Sequence, residues 1–271
     1  MATILIVVIV LALIFDYING FHDAANSIAT IVSTKVLTPF QAVVWAAFFN
    51  FVAFFIFSDH AVANTVAKTV KPEVVSGTGG IIIILSGLIA SIIWNLFTWW
   101  FGLPSSSSHT LIGGFAGAAI AAAGFNSIDT AMIMKTVIFI FLAPLIGMFI
   151  SIFITLVTIQ KNFWLKIAII AAVVSACMLF IPFKKEFEKW ALLGLSVVFV
   201  TAYFINYFRG ETAARTGRMF KRLQLVSSAV FSIGHGGADA QKVMGIITAA
   251  LIAGGNISEF SQMPDWVPLA C

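Results

Sequence analysis

The sequence is poor in charge. Asp, Glu, Lys and Arg make up 10% of its 271 residues, against 61% hydrophobic residues. Soluble domains carry about a quarter charged residues, so this chain lacks the means to cover its own surface in water. In lipid an apolar surface is the stable one, and a mean hydropathy of +1.05 agrees. Cysteine is scarce as well. Cys177 lies in an apolar run and Cys271 at the last position, which suggests neither a disulfide framework nor a metal site. The start lacks the basic region and small-residue cleavage site of a signal peptide. Residues 1–15 are apolar and are followed by Asp16, Asn19 and His22, which reads as a retained first span. No stretch alternates with period two, so a β-barrel is not expected. The net charge of +4 is spread over loops, so nucleic acid is not an expected partner.

Apolar runs dominate what is present: 3–18, 40–57, 80–101, 111–124, 132–159, 164–183, 190–208 and 225–253. Most approach the roughly 20 residues that a helix needs to cross a bilayer. The 27 Phe and 7 Trp suit lipid-facing and interfacial positions. The run 111–124 is shorter, rich in Gly and Ala, and preceded by Pro104 and four serines. It reads as half of a re-entrant hairpin, which lipid tolerates only when protein or a water-filled cavity surrounds it. Loop charge gives an orientation. The segment 209–222 holds Arg209, Arg215, Arg218, Lys221 and Arg222 against Glu211 alone, so it is expected in the cytoplasm. Counting spans back puts the N-terminus outside. Counting forward puts 256–271, which has no Lys or Arg, outside too. Lys184, Lys185 and Lys189 fall on the outer side and run against the rule.

Three polar motifs interrupt the apolar sequence. Asn19-Gly20-Phe21-His22-Asp23-Ala24-Ala25-Asn26 places a carboxylate, an imidazole and two amides at the end of the first run. Ionisable groups at membrane depth usually face a pathway or a partner, and Gly20 can open the helix and free carbonyls for a cation. A polar helix end is the plainer reading, and Asp16 fits it. Gly234-His235-Gly236-Gly237-Ala238-Asp239-Ala240-Gln241-Lys242 sits inside the last run and suggests a second broken helix with a polar centre. Local neutralisation of Asp239 by Lys242 is the alternative. Under the topology above, the two Asp segments cross in opposite directions, as in an inverted repeat. Gly102-Leu103-Pro104-Ser105-Ser106-Ser107-Ser108-His109-Thr110 offers hydroxyls and N–H groups at a helix N-terminus, an anion site by geometry and dipole. Its plainer reading is a capped helix start.

Together these motifs resemble the inorganic phosphate transporter (PiT) family. The likeness covers 19–27, then Trp94-Asn95, Trp99, Gly102-Leu103-Pro104 and 106–113, and resumes at Gly234-His235-Gly236-Gly237, Asp239 and Gln241-Lys242. The family implies two inverted repeats and symport of phosphate with Na⁺ or H⁺. On this chain the resemblance assigns phosphate to Ser106, Ser107, Ser108, Asn26 and Gln241, and the cation to Asp23, Asp239 and Asn26. It leaves His22, His109 and His235 for proton or gating roles. Ala238 departs from the family, which usually has Asn there, and no second Ser/Thr-rich hairpin precedes Cys271.

The expected fold class is an all-α polytopic membrane protein. It is an inverted-repeat secondary transporter with discontinuous helices, a re-entrant Ser-rich hairpin and an incomplete second repeat. The expected organisation is a first repeat over 1–158, an extra helix pair over 159–208, a basic cytoplasmic loop over 209–224, and the start of a second repeat over 225–271. The expected function is Na⁺- or H⁺-coupled symport of inorganic phosphate across the inner (cytoplasmic) membrane by alternating access. No resident cofactor and no metal is called for. Phosphate enters free or as a metal complex, and a homodimer is one way for a short chain to complete the site. Phosphate and two carboxylates repel one another strongly in low dielectric, so a co-bound cation is required. The rivals are a carrier of another oxyanion such as sulfate, a non-transporting membrane fragment or receptor, and an intramembrane hydrolase using Ser108 and His109. Adjacent residues seldom place a hydroxyl against an imidazole with a third orienting group, so no enzyme is expected.

Overall fold

The computed structural model describes residues 2–57, 61–183 and 185–271. Met1 and Lys184, which enter the sequence reading, lie outside the described residues. The described residues are mostly helical. The helices are α1 (Ala2–Ser33), α2 (Pro39–Ile56), α3 (Ala61–Ala67), α4 (Gly77–Trp100), α5 (Ser107–Ala123), α6 (Thr130–Ile159), α7 (Phe163–Phe180), α8 (Glu186–Phe208), α9 (Ala213–Ala253) and α10 (Trp266–Ala270). Six of them, α1, α2, α4, α6, α7 and α8, are long and apolar enough to cross a membrane. There is no strand among the described residues, only one isolated bridge between Val70 and Ile128. This all-helical build follows from the solvent. In hydrocarbon every backbone polar group must be satisfied within its own segment. The 225–253 stretch, also expected to span, carries Asp239 and Lys242 and is not among the six.

The chain divides into two compact units, Met1–Thr136 with Ser227–Cys271, and Val137–Val226. In the first, α1 presents Leu5, Val8, Ala12 and Phe15 at helical spacing to a core shared with Ile81, Ile84 and Leu88 of α4 and Leu111 and Phe115 of α5. Helices α4 and α5 run antiparallel, tied where Ser91 Oγ donates to Thr110 O at 3.1 Å. Helix α2 starts at a capping box. Gln41 N donates to Thr38 Oγ1, Thr38 N donates to Gln41 Oε1, and Pro39 occupies the first turn. The start of α1 lies beside the end of α9, with Leu5 against Gly254, so the two helices run antiparallel.

In the second unit, α6 buries no residue along its 30, as a helix facing lipid does. Phe163 of α7 stacks on Tyr207 of α8 at 4.3 Å between centroids. Lys166 Nζ donates to Thr158 O at 3.0 Å and lies 4.6 Å above the Tyr203 ring. That contact satisfies a carbonyl in the last turn of α6, where the helix has no partner of its own.

Two expectations fail. Neither α1 nor α9 is discontinuous: both run unbroken through Gly20 and through Gly234, Gly236 and Gly237. A glycine costs a helix only about 1 kcal/mol, less than the backbone groups that a break would leave unpaired in an apolar setting. The chain is interrupted instead between α2 and α3 and between α4 and α5. The basic segment is also not a loop as far as 224. From Ala213 onward it forms the first turns of α9, because Arg, Met, Lys, Leu and Gln favour a helix.

Candidate functional site

The serine segment folds as its residue types dictate. Gly102, at φ 63°, and Pro104 end the α4 side of the hairpin. Ser106 has an extended backbone and caps α5, its side chain accepting from His109 N at 3.5 Å. Ser107 is buried at the first position of α5. Its hydroxyl donates to Asn19 Oδ1 and, at 3.0 Å, to Asp23 Oδ2. Residues 84 apart in sequence thus meet at one hydroxyl. Nearby, Phe21 packs edge-to-face on Trp99 at 5.5 Å, and Trp94 Nε1 donates to Ser105 Oγ at 3.2 Å.

The side chains around Asp23 carry no permanent positive charge. Asn26 Nδ2 donates to Oδ1 at 3.3 Å, and His22 Nδ1 lies 3.7 Å from the same oxygen. No Lys or Arg forms an ion pair with Asp23 among the described residues. The N–H groups of the first turn of α5 have no helical partners and carry the positive end of its dipole. Carboxylate, amide and helix N-terminus therefore share one point.

Asp239 has a different setting. Lys242 Nζ contacts its Oδ1, and His235 Nε2 lies 3.2 Å from Oδ2. Both residues lie within four positions on α9, so one helix face assembles this cluster. Gln241 turns its carbonyl to α3, where Oε1 accepts from Val62 N at 3.0 Å. A cavity of about 690 Å³ opens here, with Asp16, Asn19, Asn50, His235, Asp239 and Gln241 on its wall. Asp16 is within electrostatic reach of Asp239 and Lys242. The glycines of α9 serve close packing. A Cβ on Gly236 would come 2.8 Å from Asn50 Cα, and one on Gly237 would collide with the Phe57 ring. Without side chains there, α2 ends directly against α9.

The expected site residues fall into two groups. Asp23, Asn26, His22 and Ser107 gather at the hairpin tip, with Ser106 capping the helix beside them. Asp239, His235 and Gln241 lie on the cavity wall. Asn19 belongs to both, since it lines the cavity and accepts from Ser107. Ser108 makes no hydrogen bond to His109 among the described residues, and His109 is exposed. Asp16, which the sequence suggests as a polar helix end, Ser27, which lies in the 19–27 stretch with no role assigned, and Asn50 all line the cavity. Asp16, Asn19 and Asp23 are spaced i, i+3 and i+7, a helix-face pattern that was available as a signal. Asn50 sits in an apolar run with no motif. Ser27 is 3% exposed, lines the cavity and has no hydrogen-bond partner among the described residues.

Long apolar helices enclosing carboxylates, amides and a capped helix start define a polytopic membrane protein with a polar interior. Comparison with known proteins narrows the class. Residues 19–271 match the phosphate transporter family. A probable low-affinity inorganic phosphate transporter of Rhizobium meliloti (strain 1021) is 38% identical over 268 residues, covering 99% of this chain and 65% of that protein. One from Bacillus subtilis (strain 168) is 37% identical, covering 98% of this chain and 65% of that protein. A solved structure, described as the sodium-dependent phosphate transporter, superposes with a TM-score of 0.75 at 26% identity, covering 99% of this chain and 72% of that one. The chain belongs to the phosphate transporter family, and it spans about two thirds of the length of these curated relatives, 65% in each case. The family is one of transporters, not enzymes.

Proposed function

We propose that this chain forms the larger part of a carrier that moves inorganic phosphate across the cytoplasmic membrane together with Na⁺ or H⁺. The observation that carries the reading is the Ser107 hydroxyl held between Asn19 Oδ1 and Asp23 Oδ2. It joins a helix start suited to an anion to a carboxylate that has no Lys or Arg partner among the described residues. Phosphate cannot approach Asp23 in low dielectric unless a cation accompanies it. Asp23, Asn19 and Asn26 supply hard oxygen ligands for that cation. The Ser106–Ser108 hydroxyls and the N–H groups of α5 take the phosphate oxygens. Neither ion binds well alone, which is the basis of coupling.

The hairpin tip meets α1 at Asn19 and Asp23, well inside a helix about 48 Å long. That placement supports a re-entrant hairpin entering from the outer side. The antiparallel course of α1 and α9 supports inverted repeats, with Asp239 as the counterpart of Asp23 and Gln241 as a phosphate ligand through its amide nitrogen. The basic start of α9 supports the orientation with the N-terminus outside. His22 and His235, each beside a carboxylate, are the groups that would relay protons if H⁺ is the coupling ion. The likeness to a protein described as sodium-dependent favours Na⁺.

Uptake of radiolabelled phosphate into proteoliposomes, with Na⁺ and pH gradients imposed separately, tests the reading. Uptake driven by one gradient and competed by phosphate but not by sulfate is expected. Sulfate competition at equal concentration would make the substrate an oxyanion of another kind, and absence of gradient-driven uptake would overturn the carrier reading.

A further inference from the structure

The second unit holds a cavity with no part in the proposed transport path. It measures about 330 Å³ and lies where α8 gives way to α9, with Asn206, Arg209, Arg215, Arg218 and Arg222 on its wall. No acidic residue lines it among the described residues. Arg215 is committed to the chain itself, its Nη1 donating to Arg209 O and, at 3.1 Å, to Gly210 O. Those bonds satisfy carbonyls at the end of α8. Asn206 is 7% exposed, and its Nδ2 donates to Thr216 Oγ1 at 3.1 Å, pinning α9 to α8. The guanidinium groups of Arg209, Arg218 and Arg222 form no hydrogen bond or ion pair among the described residues.

Like charges at i and i+4 on a helix repel, and Arg218 and Arg222 are so placed on α9. Three unpaired guanidiniums around one recess are stable together when an anion joins them. A carboxylate offers two oxygens and one charge. A phosphate group offers more acceptor oxygens, up to two charges, and the geometry that the guanidinium fork matches in pairs of bonds. The surroundings bear on depth. Phe204, Tyr207 and Phe208 lie just before Arg209 and cluster with Phe163, the type of aromatic group that marks a membrane interface.

We infer that Arg209, Arg218 and Arg222 form a second phosphate-group site, separate from the carrier cavity, at the membrane surface that loop charge assigns to the cytoplasm. Its ligand is a phosphate group, carried by an anionic lipid headgroup or free in solution. The inference does not depend on the transport reading. Either can fail alone, because binding here is read without transport.

Titration calorimetry of the detergent-purified protein tests it with two probes, dihexanoyl phosphatidylglycerol and inorganic phosphate, with dihexanoyl phosphatidylcholine as the headgroup without net charge. The variant is Arg218→Gln/Arg222→Gln. The control is Lys161→Gln/Lys221→Gln, which removes the same charge from exposed residues that do not line the recess. Loss of two charge-assisted contacts should weaken binding at least about tenfold in the arginine variant, while the control changes less than about twofold. Sensitivity of phosphatidylglycerol alone identifies a lipid headgroup. Sensitivity of inorganic phosphate alone identifies the free ion, and sensitivity of both supports the shared chemistry. Equal losses in variant and control, or no arginine-dependent binding of either probe, overturn the inference. If the Gln variant does not fold, Arg218→Lys/Arg222→Lys keeps the charge and removes the fork. Weaker binding is then expected, and unchanged binding overturns the site.

Discussion

Asp23 and Asp239 occupy similar Gly/Asp motifs on antiparallel helices, yet their surroundings differ in kind. Asp23 is met by Ser107, Asn26 and His22, which bring no fixed positive charge. Asp239 is met by the Lys242 ammonium and by His235, both from its own helix. One carboxylate has no Lys or Arg beside it among the described residues, and the other holds a tethered ammonium. A Gly/Asp motif therefore marks where a polar centre lies in a membrane helix. Neighbours a turn away decide whether that centre is open to an ion.

The sharpest way to break this contrast is Asp239→Asn. It leaves Lys242 buried without its counter-charge and should destabilise the protein by about 3–5 kcal/mol. A lower thermal midpoint in detergent would show it, with most of the loss recovered in Asp239→Asn/Lys242→Gln. Unchanged stability in the single variant would mean that Asp16 takes over the ammonium. Asp23→Asn should behave in the opposite way. Its stability should stay close to the parent's, while gradient-driven phosphate uptake falls on the order of 100-fold, since a lost contact to a charged group is worth up to about 3 kcal/mol. Equal uptake by parent and variant would remove Asp23 from the cation site.

Smaller effects test the geometry around each carboxylate. Ser107→Ala should weaken phosphate binding by about tenfold or more, from the roughly 1.5–3 kcal/mol of a hydrogen bond to a charged group. Ser106→Ala should weaken phosphate binding too and in addition cost the cap, about 1 kcal/mol of stability. A lower melting midpoint with unchanged phosphate binding in Ser107→Ala would show that Ser107 only anchors the hairpin. Last come the glycines. Gly236→Ala meets Asn50 Cα at 2.8 Å and should cost about 1–3 kcal/mol through overpacking. Gly20 has nothing within 4 Å of an added Cβ, so Gly20→Ala should stabilise α1 by about 0.5–1 kcal/mol. Loss of uptake in that more stable variant would show that α1 must open during the transport cycle.

Much of the fold was legible in composition and run length. The run 132–159 became Thr130–Ile159, and 190–208 became Glu186–Phe208. Helix α1 continued past its apolar run to Ser33, because Gly20 and the polar residues after it do not disfavour a helix enough to end it. The short helix α3 was not anticipated. It rests on Gln241, whose carbonyl accepts from Val62 N across 179 residues, and no local signal reports such a contact. The serine segment was legible as a helix start, since Ser and Pro declare one. That Ser107, rather than Ser106 or Ser108, turns inward to Asp23 was not.

Composition and run length alone dictate a membrane protein, its helical build, and where its polar centres fall along the helices. These are local consequences of composition, because lipid leaves a backbone no partner but its own segment. The tertiary structure decided which polar groups meet and where the helices are interrupted. Glycine permits a break or a close approach without choosing between them, and what packs opposite makes the choice. Asn50 and Phe57 fill the space beside Gly236 and Gly237, so α9 stays whole and α2 ends there. Lys242 reaches Asp239 from the next turn, whereas Asp23 is met across the bundle by a serine. That difference separates a carboxylate paired with a lysine from one held by a hydroxyl and an amide.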